Sequence, residues 1–152
     1  MRITTASESD CEAILALQRL AYQSEARLLN NFAIPPLTQT LEQVQEECRT
    51  GIFLKAVDEK GRIVGSVRGA MEGDTLLIGK LMVHPGQQGH GLGTRLLKEM
   101  EKACPLPRME LFTSDKSLNN VRFYERNGYT PCGKKAVSPD LTFIYPEKKR
   151  PS

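Results

Sequence analysis

Hydrophobic positions along the chain change their period several times, and the changes mark an alternation of short strands and amphipathic helices. Residues 2–5 read as a strand, after which Ser7, Glu8, Ser9 and Asp10 supply helix-start chemistry. Cys11, Ile14, Leu17 and Ala21 then recur at helical spacing, on a helix expected to reach about Leu29. Asn30 to Pro36 cannot continue it, because prolines remove backbone donors and restrict the residues before them. Thr40-Leu41-Glu42-Gln43 has the form of a capping box and opens a second helix with Leu41, Val44 and Cys48 inward. From Gly51 the period shortens. Ile52–Val57 and Ile63–Arg68 read as strands joined through Asp58–Gly61, and Thr75–Val83 as a third strand after the turn Glu72-Gly73-Asp74. Leu92, Leu96, Met100 and Ala103 form the inner stripe of the next helix, which Pro105 and Pro107 end. Met109–Phe112 reads as a short strand, Leu118–Asn127 as a helix stopped by Gly128, and Tyr129–Gly133 and Leu141–Tyr145 as two final strands. A strand–helix–strand crossover among antiparallel neighbours gives an α/β fold: a mixed, mostly antiparallel sheet of about seven strands with helices on both faces.

The junction between the third strand and its helix carries the first chemical signal. An apolar run ends at Val83-His84-Pro85, and glycines at 89, 91 and 93 lead directly into the amphipathic helix. Glycine there lets the main chain take left-handed conformations and lets an anion approach without meeting a Cβ. The helix end adds unpaired N–H groups and a positive dipole, so the junction suits phosphate. Two familiar phosphate loops fail to match. The junction lacks the Gly-Lys pair a Walker A loop needs, and a dinucleotide fingerprint begun at Gly89 and Gly91 puts Thr94 where its third glycine belongs.

Gln88-x-x-Gly91-x-Gly93, behind a strand ending Leu81-Met82-Val83-His84-Pro85, resembles the acetyl-CoA pyrophosphate loop of the GNAT superfamily of N-acetyltransferases. A second motif, Asn120-Val121-Arg122-Phe123-Tyr124-Glu125-Arg126-Asn127-Gly128-Tyr129, resembles that family's late helix, which carries a tyrosine and runs into Gly-Phe/Tyr. The likeness extends from the first strand to about Tyr145 and implies a GNAT-like fold over residues 1–146, leaving 147–152 as a flexible basic tail. It implies acetyl-CoA as co-substrate, its pyrophosphate held by the backbone of Gln88, Gly89, His90, Gly91, Leu92, Gly93 and Thr94. It also implies that main-chain groups of Leu81, Met82 and Val83 pair with the pantetheine arm, with an amide near Met82 steadying the oxyanion.

Tyr124 takes the role of general acid by this resemblance, donating its proton to the departing thiolate as the bond breaks. Glu110 resembles a carboxylate position used by some members, with Glu72 and Asp74 as rivals near the sheet edge. The sequence departs from the common pattern seven residues before the tyrosine, where Ser117 replaces a frequent asparagine; Asn120 suits a variant of the motif and would bond the CoA arm. The family's acceptor pocket maps onto roughly Tyr22–Leu37 and the stretch after Gly133. Within it Glu25 suits a cationic amine, and Tyr22 and Phe32 suit a cation–π cover.

Composition narrows the classes. At 152 residues with 39% hydrophobic and 26% charged residues, the chain has the make-up of an ordinary globular domain, and its formal charge of +3 is too small to imply a nucleic-acid partner. No apolar stretch approaches the roughly 20 residues a membrane span needs, and the N-terminus enters a strand without a signal peptide's features, so a cytoplasmic protein is expected. Cys11, Cys48, Cys104 and Cys132 lack ligand or CxxC spacing; no metal site is expected, and buried free thiols are. The expected activity is acyl transfer, direct and without a covalent enzyme intermediate, from acetyl-CoA to the primary amine of a small molecule. Transfer to a protein N-terminus or lysine, or acyl-CoA binding without turnover, are the alternatives. A homodimer is compatible with the resemblance, and nothing in the residues decides it.

Overall fold

β1 (Arg2–Thr5), β2 (Ile52–Val57), β3 (Ile63–Glu72) and β4 (Thr75–Val83) pair in sequence order, each antiparallel to the last. The order continues through β5 (Arg108–Glu110), β8 (Leu141–Lys149) and β6 (Thr113–Ser114), and β7 (Thr130–Ser138) pairs with β8. Among the described residues only β4 and β5 run parallel. The computed structural model describes residues 1–139 and 141–150. The expected mixed, mostly antiparallel sheet is therefore present, with eight strands among the described residues. The extra strand arises because the segment expected at Met109–Phe112 is interrupted: β5 and β6 pair with successive stretches of β8, and Leu111 and Phe112 lie between them.

Strand alternation sorts the side chains onto two faces. Leu54, Ala56, Val67, Leu76 and Ile78 meet α5 (Leu92–Ala103) through Leu92, Leu96, Leu97 and Met100. Phe53 and Met82 turn the other way, toward α1 (Cys11–Ala21) and α4 (Leu41–Thr50), where Ile14, Leu15, Leu17 and Val44 are buried. The capping box at α4 forms as its residues dictate: Gln43 N–H donates to Thr40 Oγ1 at 3.2 Å and Thr40 N–H to Gln43 Oε1 at 2.9 Å.

Four local expectations need correction. The helix expected to reach Leu29 is broken into α1 and α2 (Gln23–Leu29) at Tyr22, whose ψ is 2°, and the Gln23 side chain takes up the Arg19 carbonyl at 3.1 Å. Asn30 ends α2 in the left-handed region, φ 50°. The prolines that stop one helix then start another, α3 (Pro35–Thr38), because proline at a helix's first position forfeits no hydrogen bond. Residues 147–149, assigned to a flexible tail, belong to β8 and pair with β5, while Arg150 donates to the Leu106 and Glu101 carbonyls at 2.9 and 2.6 Å. Cys132 is exposed rather than buried; burial of Cys11 pushes its thiol up to about 11.

Leu96 is fully buried where α5 meets the sheet, and Leu118 is 59% exposed. Leu96→Ala is expected to cost about 2–5 kcal/mol in urea denaturation, against about 0.5 kcal/mol or less for Leu118→Ala. Equal, small losses would contradict α5 as the element that carries the core.

Candidate active site

The sheet opens at its centre. β4 and β5 are paired only at Thr75↔Arg108, Leu76↔Met109 and Leu77↔Glu110, yet β4 continues to Val83 while the chain after β5 moves across β8. A fork results, with the second half of β4 as one wall and β6 as the other. Its cause is local: between Gly79 and Met82 the register against β3 shifts, with Ser66↔Met82 and Arg68↔Gly79, and Lys80 takes a φ of 50°. This is a bulge, one extra residue that bends the strand. It also inverts the alternation, so that Leu76 and Ile78 before it and Leu81 and Val83 after it all pack toward α5.

Beyond the bulge, His84 N–H donates to Val64 O at 2.8 Å. Alternation then turns the N–H and C=O of Met82 back onto β3 and those of Val83 into the fork. Among Leu81, Met82 and Val83, the fork thus receives the backbone of Val83, whereas Met82 contributes a buried side chain to the α1–α4 face. The backbone of Met82, near which an oxyanion amide was expected, is turned to β3.

At the end of β4 the glycines divide their work. Gly89 and Gly91 have φ of 84° and 77°, and a Cβ on either would meet nothing within 4 Å. Both are left-handed turns facing open space, the arrangement that lets a ligand approach main chain. Gly93 has another reason: a Cβ there would stand 3.4 Å from Phe123 and 3.9 Å from Val83, so the first turn of α5 packs on β4 and on α6 (Leu118–Arg126). No side chain caps α5, and Arg95 N–H is the first to find an acceptor in the helix, Gly91 O at 3.1 Å. The N–H groups of Leu92, Gly93 and Thr94 are left to face a ligand. Gln88 and His90 are exposed on the loop, and the Leu92 side chain is core. The loop fits a diphosphate by backbone geometry rather than by charge.

Two buried tyrosines lie near each other, with ring centroids 6.3 Å apart, and differ in one respect. Tyr129 donates its hydroxyl to Glu101 Oε2 at 2.6 Å, and Glu101 in turn holds Lys148. The Tyr124 hydroxyl has no hydrogen-bond partner among the described residues and is not sealed from the surface. Burial, and after it the Glu25 carboxylate, raises the Tyr124 phenol well above its ordinary value. Burial likewise raises Tyr22, with contributions from Glu25, Tyr124 and Glu47, and raises Glu25 itself. Tyr124 belongs to the α5–α6 core and Tyr22 to the α1–α4 side.

The remaining expected residues are distributed around this point. Asn120 donates to Thr113 Oγ1 on β6 at 3.4 Å, on the far wall of the fork. Phe32 stands 55% exposed on the loop after α2. Glu110 lies 2.6 Å from an Arg108 nitrogen, and the same guanidinium holds Glu147 at 2.6 Å. Glu72 and Asp74 are exposed beside a turn. Residues missed from the sequence are Lys80, whose ammonium pairs with Glu47 and Gln39, and Gln18, which donates to Gln39 Oε1 at 2.9 Å. A lone lysine inside the apolar strand Leu76–Val83 was the available signal.

A family model described as an acetyltransferase (GNAT) domain matches residues 49–131. The chain is 26% identical to S-(2-succino)cysteine N-acetyltransferase of Bacillus subtilis (strain 168) over 162 residues, 97% of this chain and 95% of that one. Among solved structures it is similar to the PaiA N-acetyltransferase of Thermoplasma acidophilum in complex with coenzyme A, with a TM-score of 0.79, 17% identity and coverage of 99% and 100% of the two chains. An aminoglycoside 6′-N-acetyltransferase complexed with coenzyme A gives a TM-score of 0.78 at 20% identity, covering 100% of both chains. No helix among the described residues is long and apolar enough to cross a membrane, and no group of metal-ligating side chains occurs among them.

The two tyrosines make opposite predictions for stability. Tyr129→Phe removes a bond to a buried carboxylate and is expected to cost about 1–3 kcal/mol; Tyr124→Phe removes none and is expected to change stability by about 0.5 kcal/mol or less. Chemical denaturation of both variants checks this, and a large loss for Tyr124→Phe would reveal a structural partner for its hydroxyl.

Proposed function

This chain belongs to the GNAT acetyltransferase family, and we propose that it moves the acetyl group of acetyl-CoA directly to the primary amine of a small molecule. The observation that carries the reading is the forked sheet, in which β4 parts from β5 after Leu77 and leads into a loop with left-handed Gly89 and Gly91 ahead of the uncapped start of α5. The loop at Gln88–Thr94 receives the diphosphate, its left-handed glycines and uncapped helix supplying amides. The pantetheine arm enters the fork along β4, where Val83 offers free backbone groups in the manner of another strand, and Asn120 borders it from α6. The co-substrate supplies an acetyl thioester, a good acyl donor to nitrogen.

Acceptor and donor come from opposite faces of the sheet. Glu25, whose carboxyl burial makes more basic than usual, draws in the amine and accepts the proton it sheds. The nitrogen lone pair forms the new C–N bond, the C–S bond breaks, and Tyr124 gives its proton to the sulfur. A phenol raised by burial holds that proton at neutral pH and delivers it only to a base as it forms. Tyr22 lines the same cleft from the end of α1. Glu110 has no part in proton transfer in this scheme, because Arg108 already neutralises it. A small-molecule acceptor agrees with the relative named for acting on a cysteine derivative. The reading places the enzyme in the cytoplasm.

Three measurements test it. Thiol release from acetyl-CoA against a panel of primary amines, amino acid derivatives included, is expected to identify at least one acceptor; silence across the panel with tight acetyl-CoA binding would favour a binding module. Gly91→Asp puts a carboxylate at the diphosphate and should weaken acetyl-CoA binding by at least about 100-fold by calorimetry; undiminished affinity would overturn the loop assignment. Tyr124→Phe should lower turnover by roughly 100-fold or more while leaving acetyl-CoA affinity within about twofold. Unchanged turnover with chemistry limiting would remove the acid role.

A further inference from the structure

Lys80 occupies a position where glycine would be free of strain. Its φ of 50° lies in the left-handed region, which costs a side-chain-bearing residue about 1–2 kcal/mol. Such a conformation persists when the surroundings hold it, and it commonly marks a functional position. The preceding residue is a glycine with open space where its Cβ would be, so the chain had room for a second small residue here. The lysine side chain is used instead. It crosses from β4 to the helices, where its ammonium pairs with the Glu47 carboxylate of α4 and with Gln39 Oε1 in the connection before α4. Gln39 Oε1 also receives Gln18 Nε2 at 2.9 Å, and the same nitrogen donates to Pro36 O at 2.9 Å.

This chain of contacts joins four elements, α1, the Ile34–Gln39 segment, α4 and β4. Gln18 is fully buried in α1, Pro36 and Gln39 belong to the segment over the acceptor side, and Lys80 is the turning point of the strand that opens the fork. Hydrophobic contact alone would let the Ile34–Gln39 segment and the bulge shift independently. A charged group shared between them does not.

We propose that Lys80 is a positioning residue that locks the β4 bulge to the Ile34–Gln39 segment, so that ordering of the thioester strand by acetyl-CoA also orders the acceptor side of the cleft. The inference rests on the acetyl-CoA reading above and adds a coupling to it. When the pantetheine arm fixes the backbone after the bulge, Lys80 loses freedom, and with it Glu47, Gln39 and the short helix α3. The acceptor then meets a formed surface only when the donor is present.

Amide hydrogen exchange with acetyl-CoA as the probe tests the coupling without an identified amine. In the wild type, acetyl-CoA should slow exchange at 88–94 and, across the sheet, at 34–40, the latter by about fivefold or more. Lys80→Gly suits the left-handed backbone and deletes the clamp. It should keep the slowing at 88–94 and an acetyl-CoA affinity within about twofold, while losing the slowing at 34–40. Gln39→Leu, which leaves the Lys80–Glu47 pair in place, should show the same selective loss, and Lys80→Arg should restore the coupling in part. Slowing at 34–40 that survives in Lys80→Gly, or that is missing from a wild type protected at 88–94, overturns the clamp alone. A wild type protected at neither segment overturns the acetyl-CoA reading and the clamp together.

Discussion

The fork between β4 and β5 is the constraint from which the rest of the molecule follows. A strand that leaves its neighbour exposes backbone donors and acceptors in the middle of a sheet, where each needs a partner. The bulge at Lys80 creates this condition after three paired residues, and the antiparallel ladder to β3 keeps the strand from leaving the sheet altogether. Tyr124 belongs to the cluster on one face of the sheet, and Tyr22 packs against the cluster on the other.

Around the fork, rigid packing and open backbone are kept apart. Gly93 is small so that α5 and α6 can close on Val83, whereas Gly89 and Gly91 are small so that the loop can turn with nothing above it. Of two tyrosines one is tied to a buried carboxylate and supports the core, and its neighbour retains an unspent hydroxyl. The carboxylates divide likewise: Glu110 and Glu147 share one arginine between β5 and β8, and Glu25 has no salt-bridge partner among the described residues. In each pair one member is committed to another partner, Tyr129 to Glu101 and Glu110 to Arg108.

Much of the architecture was legible in local sequence because local chemistry governs it. The capping box at Thr40, the stripe of Leu92, Leu96 and Met100, and the glycine-lined junction at Gly89–Gly93 formed where their residues pointed. The resemblance carried by Gln88–Gly93 and Asn120–Tyr129 brought the family within reach. What escaped depends on pairing between distant segments. The division of β5 from β6 and the extension of β8 to Lys149 are set by register against each other, which no single segment encodes. The break at Tyr22, the Arg108 bond that occupies Glu110, and the Lys80 clamp are contacts that a linear pattern of polar and apolar residues leaves unspecified.

The central claim is that one acyl carrier spans the glycine loop and the opened strand at once. Titration of isotopically labelled protein with acetyl-CoA, followed by amide NMR, addresses it most directly. The account predicts saturable one-to-one shifts at Gly89, Gly91 and Gly93 together with Val83 and Asn120. Absence of saturable shifts at millimolar acetyl-CoA, or shifts confined to residues away from the loop and fork, would contradict it.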